Sequence, residues 1–306
     1  MEFPHLERLS GAECRQLLPA APIGRLAVGT PHFPSIEPVS FALVEGEIVI
    51  AVRAGSAGEA LAAGARVTFE ADRLDYDLRR GWSVAVTGPI EDLDADVVPL
   101  VTPLLSPWRP AAGDRLLLIR SEQIRGHRVV AGAVAATADP QATSGPSSGG
   151  PPAVVPTVRR SLLNAGESFT LLERGEERVG RLVITVAGEP LVFPLNYAVQ
   201  DDAIVFRTQV GTKLTGITRS MATFQVDHID ASGQGWSVTF EGLAQEVLDA
   251  DPAELRARLD NLALDTWPGG DRQHVVRITP YAVRGTRWTA AELVVGAAGD
   301  RRSNAL

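Results

Sequence analysis

Short runs of alternating apolar and polar residues, separated by Gly, Pro and Asp turns, dominate the chain and predict β-strands. In the first half the pattern predicts strands over 24–29, 36–44, 47–53, 65–71, 82–91 and 114–120. In the second half it predicts strands over 179–186, 190–199, 203–208, 221–227, 236–247, 274–279 and 281–288. Many short strands with tight turns are typical of barrels. We therefore expect a mainly β protein with short helices.

Helical signals are few and local. Residues 10–18 are predicted to form a first helix because Ser10 and Glu13 have the spacing of a capping box. Further helical segments are predicted over 94–105 and 252–262, and Asn164 is a candidate helix cap in the stretch 161–172 that opens the second copy. Cys14 lies in the first helix and, as the chain's one cysteine, is expected to be a small buried apolar residue.

The chain contains two altered copies of one sequence. Gly-Arg-Leu recurs at 24–26 and 180–182, and Pro38 recurs as Pro194 at the same offset of 156 residues. Two further matches follow later in each copy, namely Gly-Trp-Ser-Val at 81–84 and 235–238, and Arg-Gly-x-Arg at 125–128 and 284–287. A repeat this long indicates a duplicated domain, because solenoid repeats have periods of about 20–50 residues.

The repeat and the local composition predict the domain boundaries. A first barrel is expected over 1–130 and a second over 159–295, followed by a tail at 296–306. Residues 131–158 between them are rich in Ala, Gly, Pro and Ser, which is typical of a flexible linker. The Arg159-Arg160 pair that follows the linker is expected to be solvated.

One stretch of the second copy, Pro194 to Leu214, carries the candidate chemistry. Two predicted strands joined by a turn at Asp201-Asp202 lead into a helix start. The junction brings together two cations and two hydroxyls, those of Arg207, Thr208, Thr212 and Lys213. Such groups suit a phosphate, although the glycine spacing of a P-loop is missing. The alternative interpretation is a hairpin whose Arg and Lys are simply solvated.

The ordered set of motifs, from GRL through PLNY, VFRT, GTKL and GWSV to the final Arg-Gly-x-Arg, resembles the pyridoxamine 5′-phosphate oxidase-like proteins. The resemblance covers most of residues 165–288. It implies two FMN-binding split β-barrels in tandem that form a pseudo-dimer, with the flavin in the groove between barrels. It assigns the flavin phosphate to the cations and hydroxyls named above.

The same resemblance implies further cofactor-binding residues. Pro194, Asn196 and Tyr197 would lie beside the isoalloxazine ring. Trp82 and Trp236, each in a Gly-Trp-Ser-Val motif, either face the ring or pack at the barrel interface.

The first copy has lost the residues expected to bind phosphate. Ala51 stands at the position of Arg207, and Ala57 stands at the position of Lys213. Arg53 lies nearby but out of register. Since each charge-assisted contact contributes about 1.5–3 kcal/mol, we expect one FMN per chain, held mainly by the second copy.

Composition narrows the class of protein. The net charge of −8 and pI near 5.2 disfavour nucleic acid and anionic membranes as partners. No signal peptide or membrane-spanning run is evident, so a cytoplasmic location is expected. Five scattered histidines and one cysteine lack metal-ligand spacing, so no metal site is predicted.

The expected function is an FMN-binding oxidoreductase of the pyridoxamine 5′-phosphate oxidase-like class, acting on an unknown small molecule. No catalytic residue is identifiable. Alternatives are a deazaflavin-dependent reductase and a non-enzymatic flavin- or haem-binding carrier or sensor. The barrels are expected to pair either within one chain or in a homodimer, since the linker length permits both.

Overall fold

The computed structural model describes residues 5–75, 80–130, 158–175, 177–208, 220–247 and 274–290. The first repeat contains the strands β1 (His5–Leu9), β2 (Gly24–Val28), β3 (Ser35–Val44), β4 (Glu47–Val52), β5 (Arg66–Asp75), β6 (Arg80–Asp92), β7 (Arg115–Ile119) and β8 (Gln123–Val130). Its helices are α1 (Gly11–Leu17) and α2 (Val98–Val101), each followed by a 3-10 turn, at Leu18–Ala20 and Thr102–Leu104.

The second repeat begins with β9 (Val158–Leu163) and α3 (Ala165–Glu173). Its remaining strands are β10 (Val179–Val186), β11 (Glu189–Asn196), β12 (Ala198–Gln200), β13 (Ala203–Thr208), β14 (Ser220–Ile229), β15 (Gly235–Glu246) and β16 (His274–Ala290). Among the helices in the described ranges, none is long and apolar enough to cross a bilayer.

The first repeat is a closed antiparallel barrel. Its sheet has the order β1-β8-β6-β5-β2-β3-β4-β7, and a further pairing of β6 with β7 closes a ring of six strands. The strands alternate, so one face of each lines a continuous core that includes Leu26, Ile50, Phe69 and Val84, none of them exposed. Phe69 packs against Phe41 with ring centroids 5.0 Å apart.

The second repeat has the same architecture in a curled sheet. Its order is β11-β10-β14-β15-β16-β13-β12, and β9 pairs with the far half of β16. The single long strand β16 thus takes the places of β7 and β8 of the first repeat, since it pairs with both β13 and β15. Three phenylalanines, Phe206, Phe224 and Phe240, fill the core. The prediction of two tandem, mainly β barrels of the split-barrel type is confirmed.

The structure corrects several predicted strands. β1, β8 and β9 were absent from the prediction, and the predicted strand 190–199 is interrupted at Tyr197, where the chain passes from β11 to β12. The two strands predicted over 274–279 and 281–288 are one strand, because Pro280 sits opposite Gly242 at a register shift in the β15–β16 ladder. A bulge tolerates the missing N–H of proline, which would break a regular ladder.

Local signals in the sequence are confirmed where they are purely short-range. Ser10 and Asn164 cap α1 and α3 in reciprocal capping boxes, and Cys14 of α1 is fully buried in the first core. Asp201 and Asp202 form the β12–β13 turn with positive φ values of 48° and 54°. The linker 131–157, the predicted helix 252–262 and the tail 296–306 lie outside the described residues.

The repeated glycine of the Gly-Trp-Ser-Val motif has a backbone role. Gly81 and Gly235 both have φ of 143°, in the region that side chains avoid. A Cβ on Gly81 would lie 2.2 Å from the carbonyl oxygen of Arg73, and one on Gly235 would lie 1.8 Å from that of His228. The motif is therefore retained in both copies because only glycine permits this strand entry.

The repeats meet across a buried cluster of charges with pseudo-two-fold symmetry. Arg25 of the first repeat donates two hydrogen bonds to Asp227 of the second, at 2.8 and 2.7 Å. Arg181 of the second repeat donates to Asp72 of the first, at 2.8–3.0 Å. All four side chains are at most 6% exposed. Because each arginine reaches into the other repeat, the cluster fixes the relative position of the barrels.

Apolar and backbone contacts follow the same symmetry. Ala27, Ile36, Val183 and Val192 form a small buried cluster with two members from each repeat. The Thr68 hydroxyl donates to the Pro190 carbonyl at 2.6 Å, and the Thr223 hydroxyl donates to the Pro34 carbonyl. The strand β11 lies against β5, and β3 lies against β14. These paired contacts define two inter-repeat grooves related by the pseudo-two-fold.

The symmetry of the charged cluster is broken at one position. Glu70 of the first repeat, fully buried, corresponds to Gln225 of the second, which is also fully buried. Glu70 accepts from Arg25 Nη1 at 3.2 Å and from Ser83 Oγ at 3.0 Å. Burial and the neighbouring Asp72 carboxylate raise the pKa of Glu70 to about 8 despite the two arginines. A protonated Glu70 is uncharged, as Gln225 is. The charged groups of the cluster are then two arginines, Arg25 and Arg181, and two aspartates, Asp72 and Asp227.

Glu70 predicts a pH dependence of stability. Its folded pKa lies above its unfolded value, so its contribution is complete below about pH 4.5 and is lost as pH rises through about 8. Between pH 5 and 8 the free energy of unfolding should decline by at most about 1.4 kcal/mol per pH unit through this one proton. Glu70→Gln should remove that decline, as measured by urea unfolding at several pH values.

The exposed ion-pair residue Glu91, changed to Gln, is the control for Glu70→Gln and should leave the wild-type slope intact. Equal slopes in wild type and Glu70→Gln would show that Glu70 is ionised in the folded chain throughout this pH range.

Candidate functional site

One of the two grooves between the repeats contains a cavity of about 160 Å³, which we call the charged groove. One wall comes from β3 and the residue after β4 in the first repeat, and the other from β9, β14, β15 and β16 in the second. The lining residues are Ser35, Ile36, Glu37, Pro38, Arg53, Arg160, Thr223, Ser237, Thr239, Glu241, Arg284, Thr286 and Trp288. Alternate residues of β15 face opposite sides of the sheet. Trp236, Val238 and Phe240 point into the core. The residues next to them, Ser237, Thr239 and Glu241, therefore face the cavity.

Charged side chains dominate this cavity. Arg53 lies 3.5 Å from Glu37, and Arg284 is hydrogen-bonded to Glu241. Burial, opposed by Arg53, raises the pKa of Glu37. Burial and the nearby Arg53 lower the pKa of Arg160. The cavity therefore holds three guanidinium groups and two carboxyl groups.

A pair of stacked indoles borders the charged groove. Trp108 of the first repeat packs on Trp288 of the second with ring centroids 4.9 Å apart. Its Nε1 donates to the Gly233 carbonyl at 2.9 Å, and its backbone N–H donates to the Ser40 hydroxyl at 2.9 Å. A Cβ on Gly233 would lie 2.5 Å from Trp108 Nε1, so the indole is inserted closely against the second repeat.

The pseudo-two-fold defines the other groove, which we call the counterpart groove, between β11 and β13 of the second repeat and β1, β5, β6 and β8 of the first. The pairing of Thr68 with Pro190 and of Arg66 with Glu189, at 2.6 and 2.8 Å, places β11 against β5. The strand register identifies the residues that replace those of the charged groove.

The replacements make the counterpart groove more apolar. Phe193 corresponds to Glu37, because each precedes the proline that pairs with Arg181 or Arg25. Leu6 pairs with Val129 as Arg160 pairs with Trp288. Leu6 and Val129 therefore correspond to Arg160 and Trp288, and Leu6 is 46% exposed. Arg125 stands at the position of Arg284, so the counterpart groove keeps one cation where it lacks Arg160 and Glu37.

The predicted phosphate-binding residues lie at the end of β13 and beyond it. Arg207, half-buried, pairs with Val275, and Thr208, 5% exposed, pairs with His274. Thr212 and Lys213 lie outside the described residues. In the first repeat Ala51 takes the place of Arg207, pairs with Ser40 and packs in an apolar cluster on the outer face of β4.

Three further predicted residues lie where β11 passes into β12. Pro194 pairs with Arg181 and so lies next to the buried charge cluster, and Asn196 is 7% exposed. The Tyr197 hydroxyl donates to the Glu177 carbonyl at 2.9 Å, and its ring packs edge-on against Phe224. Burial raises the pKa of Tyr197, so this phenol stays protonated. Their contact with a cofactor stays a prediction.

The two predicted tryptophans face the barrel interiors. Trp82 is 8% exposed within the first core, and Trp236 is 6% exposed within the second. Their strand neighbours Ser83 and Ser237 point the other way, and Ser237 lines the charged groove. Of the two interpretations given above, packing describes both indoles in this structure.

Sequence reasoning missed the residues that build the inter-repeat contact. Arg25 and Arg181 were visible as the arginine of the repeated Gly-Arg-Leu. Their partners Asp72 and Asp227 end a further repeated pattern, Thr-Phe-x-x-Asp at 68–72 and 223–227, which could have indicated them. Arg160 was expected to be solvated; it is exposed, as Arg159 is, and it also lines the charged groove.

Comparison with known proteins identifies the family. A model of the pyridoxamine 5′-phosphate oxidase family matches residues 10–136 and, separately, 164–287. The uncharacterized protein Rv0080 of Mycobacterium tuberculosis is 34% identical over 128 residues, which are 39% of this chain and 82% of that protein.

Two solved structures each match a part of this chain about as long as one repeat. An FAD-binding protein from Mycobacterium smegmatis is 31% identical and covers 42% of this chain and 98% of its own, with a TM-score of 0.33. An FAD-binding protein from Mesorhizobium loti is 25% identical and covers 44% and 99%, with a TM-score of 0.37. Since the family model matches both repeats, the chain belongs to the pyridoxamine 5′-phosphate oxidase family and carries two copies of its domain.

Proposed function

We propose that the chain is a flavin-binding oxidoreductase that holds one FMN in the counterpart groove and acts on a small molecule. The observation that carries the proposal is the asymmetry between the repeats. Only the second has a cation and a hydroxyl, Arg207 and Thr208, at the end of the strand where the first has Ala51 and Val52. The family membership of both repeats supports the choice of a flavin.

The residues of the counterpart groove fit the chemistry of FMN. A phosphate needs cations and hydroxyl donors, which Arg207 and Thr208 supply together with Thr212 and Lys213 of the following segment. The flat ring needs an apolar wall, a role that this proposal assigns to Leu6, Phe193 and Val129. The charged groove fits FMN poorly, because Trp108 packs beside it and Glu37 would oppose a phosphate.

In this proposal the roles of the chain are binding and orientation. The cations at the end of β13 hold the phosphate, and the Pro194–Tyr197 segment lies beside the ring. The first repeat closes the groove from the opposite side, so that one chain supplies both walls. A bound flavin would supply the electron transfer, while the protein positions the substrate against it and excludes water.

The test is an absorption spectrum of the purified chain, followed by titration of flavin-free protein with FMN and with the deazaflavin coenzyme. We expect flavin bands on purification or saturable binding of FMN. Binding of the deazaflavin coenzyme but not of FMN would show that the cofactor is the deazaflavin coenzyme. A Soret band, or no binding of any of these cofactors, would contradict the proposal.

A further inference from the structure

We propose that the charged groove is a second binding site, which takes a small organic anion through Arg53 and Arg160. This site is separate from the counterpart groove, where the proposed flavin lies. One chain would then hold two chemically different ligands in two grooves that descend from the same duplicated site.

The size of the cavity limits the ligand. Its volume is about 160 Å³. Pockets for drug-sized ligands and cofactors occupy roughly 300–1,000 Å³. A molecule with a few carbon atoms and one or two acidic groups therefore fits the charged groove better than a flavin ring does.

The arrangement of cations favours an anion. Arg53 comes from the first repeat and Arg160 from the second, so the two guanidinium groups approach the cavity from opposite walls. Their mutual repulsion contributes to the lowered pKa of Arg160. Among the described residues, no carboxylate lies within 4.0 Å of Arg160, whereas Arg53 has Glu37 at 3.5 Å. A carboxylate or phosphate between them would relieve the repulsion and accept paired N–H bonds.

Neutral hydrogen-bonding groups complete the site. The side chains of Ser237, Thr239 and Thr286 line the same cavity, and the Ser237 hydroxyl accepts from Gln225 at 3.0 Å. With three arginines and two glutamates, the lining carries a net positive charge when all five groups are ionised. This local charge is opposite in sign to that of the whole chain.

Of the cations in the charged groove, Arg284 has an equivalent in Arg125 of the first repeat, whereas Arg160 has none. Arg160 replaces Leu6 and Glu37 replaces Phe193 at positions that are otherwise equivalent. The loss of the flavin cations at Ala51 and Ala57 thus accompanies a gain of charge elsewhere in the same groove. If this groove had lost the flavin and gained no other ligand, nothing would favour two guanidinium groups, one from each repeat, in its walls.

The experiment measures binding of succinate and of inorganic phosphate to the full chain by calorimetry and by tryptophan fluorescence, since Trp288 lines the cavity. We expect saturable binding at millimolar concentrations or below that weakens with added salt. Arg160→Ala should weaken binding about tenfold or more, because a charge-assisted pair is lost. Glu37→Gln should strengthen it, because a competing carboxylate is removed.

Arg159→Ala is the matched control, since Arg159 is the exposed neighbour on the same strand and is not among the cavity residues. Equal effects of Arg159→Ala and Arg160→Ala, or no binding of either probe, would overturn the inference. A preference for succinate over phosphate, or the reverse, identifies the acidic group.

Flavin affinity measured in the same variants separates the two proposals. Arg160→Ala should bind FMN as the wild type does, because it changes only the charged groove. Anion binding that persists in a chain unable to bind FMN would leave this inference standing while the flavin proposal fails.

Discussion

Replacing Asp227 with alanine is expected to destabilise the folded chain by about 3–5 kcal/mol, the usual cost of leaving a buried charge without its partner. Asp227 accepts two hydrogen bonds from Arg25 and a third, at 3.3 Å, from Arg181. These arginines lower the pKa of Asp227 to about 2 in spite of its burial. The carboxylate is therefore ionised at every pH at which the chain would be studied.

The measurement is the free energy of unfolding in urea, with Glu91→Ala as the control. Glu91 pairs with Arg120 on the surface, where both side chains are 47% exposed and such pairs contribute about 0–1 kcal/mol. A loss in Asp227→Ala no larger than in Glu91→Ala would show that the cluster does not hold the repeats together.

Glu70 allows a second test of the same charge cluster. When Asp227 is removed, the protonated Glu70 next to Arg25 is able to ionise and restore part of the lost negative charge. The double variant Asp227→Ala with Glu70→Gln lacks that option. We expect it to be less stable than the sum of the two single changes, because the residues belong to one network. Additive losses would exclude such compensation.

Replacing Lys213 with alanine is the second change with a large expected effect, and it acts on ligand binding. We expect the affinity for FMN to fall at least about tenfold, because one charge-assisted contact to the phosphate is lost. Arg207→Ala should have an effect in the same direction. FMN affinity is measured by quenching of flavin fluorescence on titration.

Arg53→Ala is the matched control for Lys213→Ala, since it removes a cation from the corresponding stretch of the first repeat. It lines the charged groove and should leave FMN affinity unchanged. Wild-type affinity in both Lys213→Ala and Arg207→Ala would refute the phosphate assignment and leave these residues as solvated charges.

The sequence predicted the parts of the fold that short-range patterns specify. Alternation located the central strands, the capping box at Ser10 and the cap at Asn164 located two helices, and the paired aspartates at 201–202 located a turn. Edge strands such as β1 and β9 were missed, because each has partners on one side only and buries too few residues to show a clear alternation.

The geometry between repeats could not be predicted in the same way. Asp72 and Asp227 look like ordinary acidic residues in strands until folding places an arginine of the other repeat beside each. The cavity beside Arg160 depends on the β9–β16 register, which no local motif specifies. By contrast, the duplication itself was visible in the sequence, because its motifs recur at a nearly constant spacing. The family model matches both copies.

We propose that duplication has left one flavin site and one altered groove in a single chain. The most direct test is the number of flavins bound per chain, from calibrated absorbance of protein saturated with FMN and freed of excess ligand. We expect one flavin per chain, reduced toward none in Lys213→Ala and unchanged in Arg53→Ala. Two flavins per chain would show that the charged groove still accepts the cofactor and would contradict the assignment of different ligands to the two grooves.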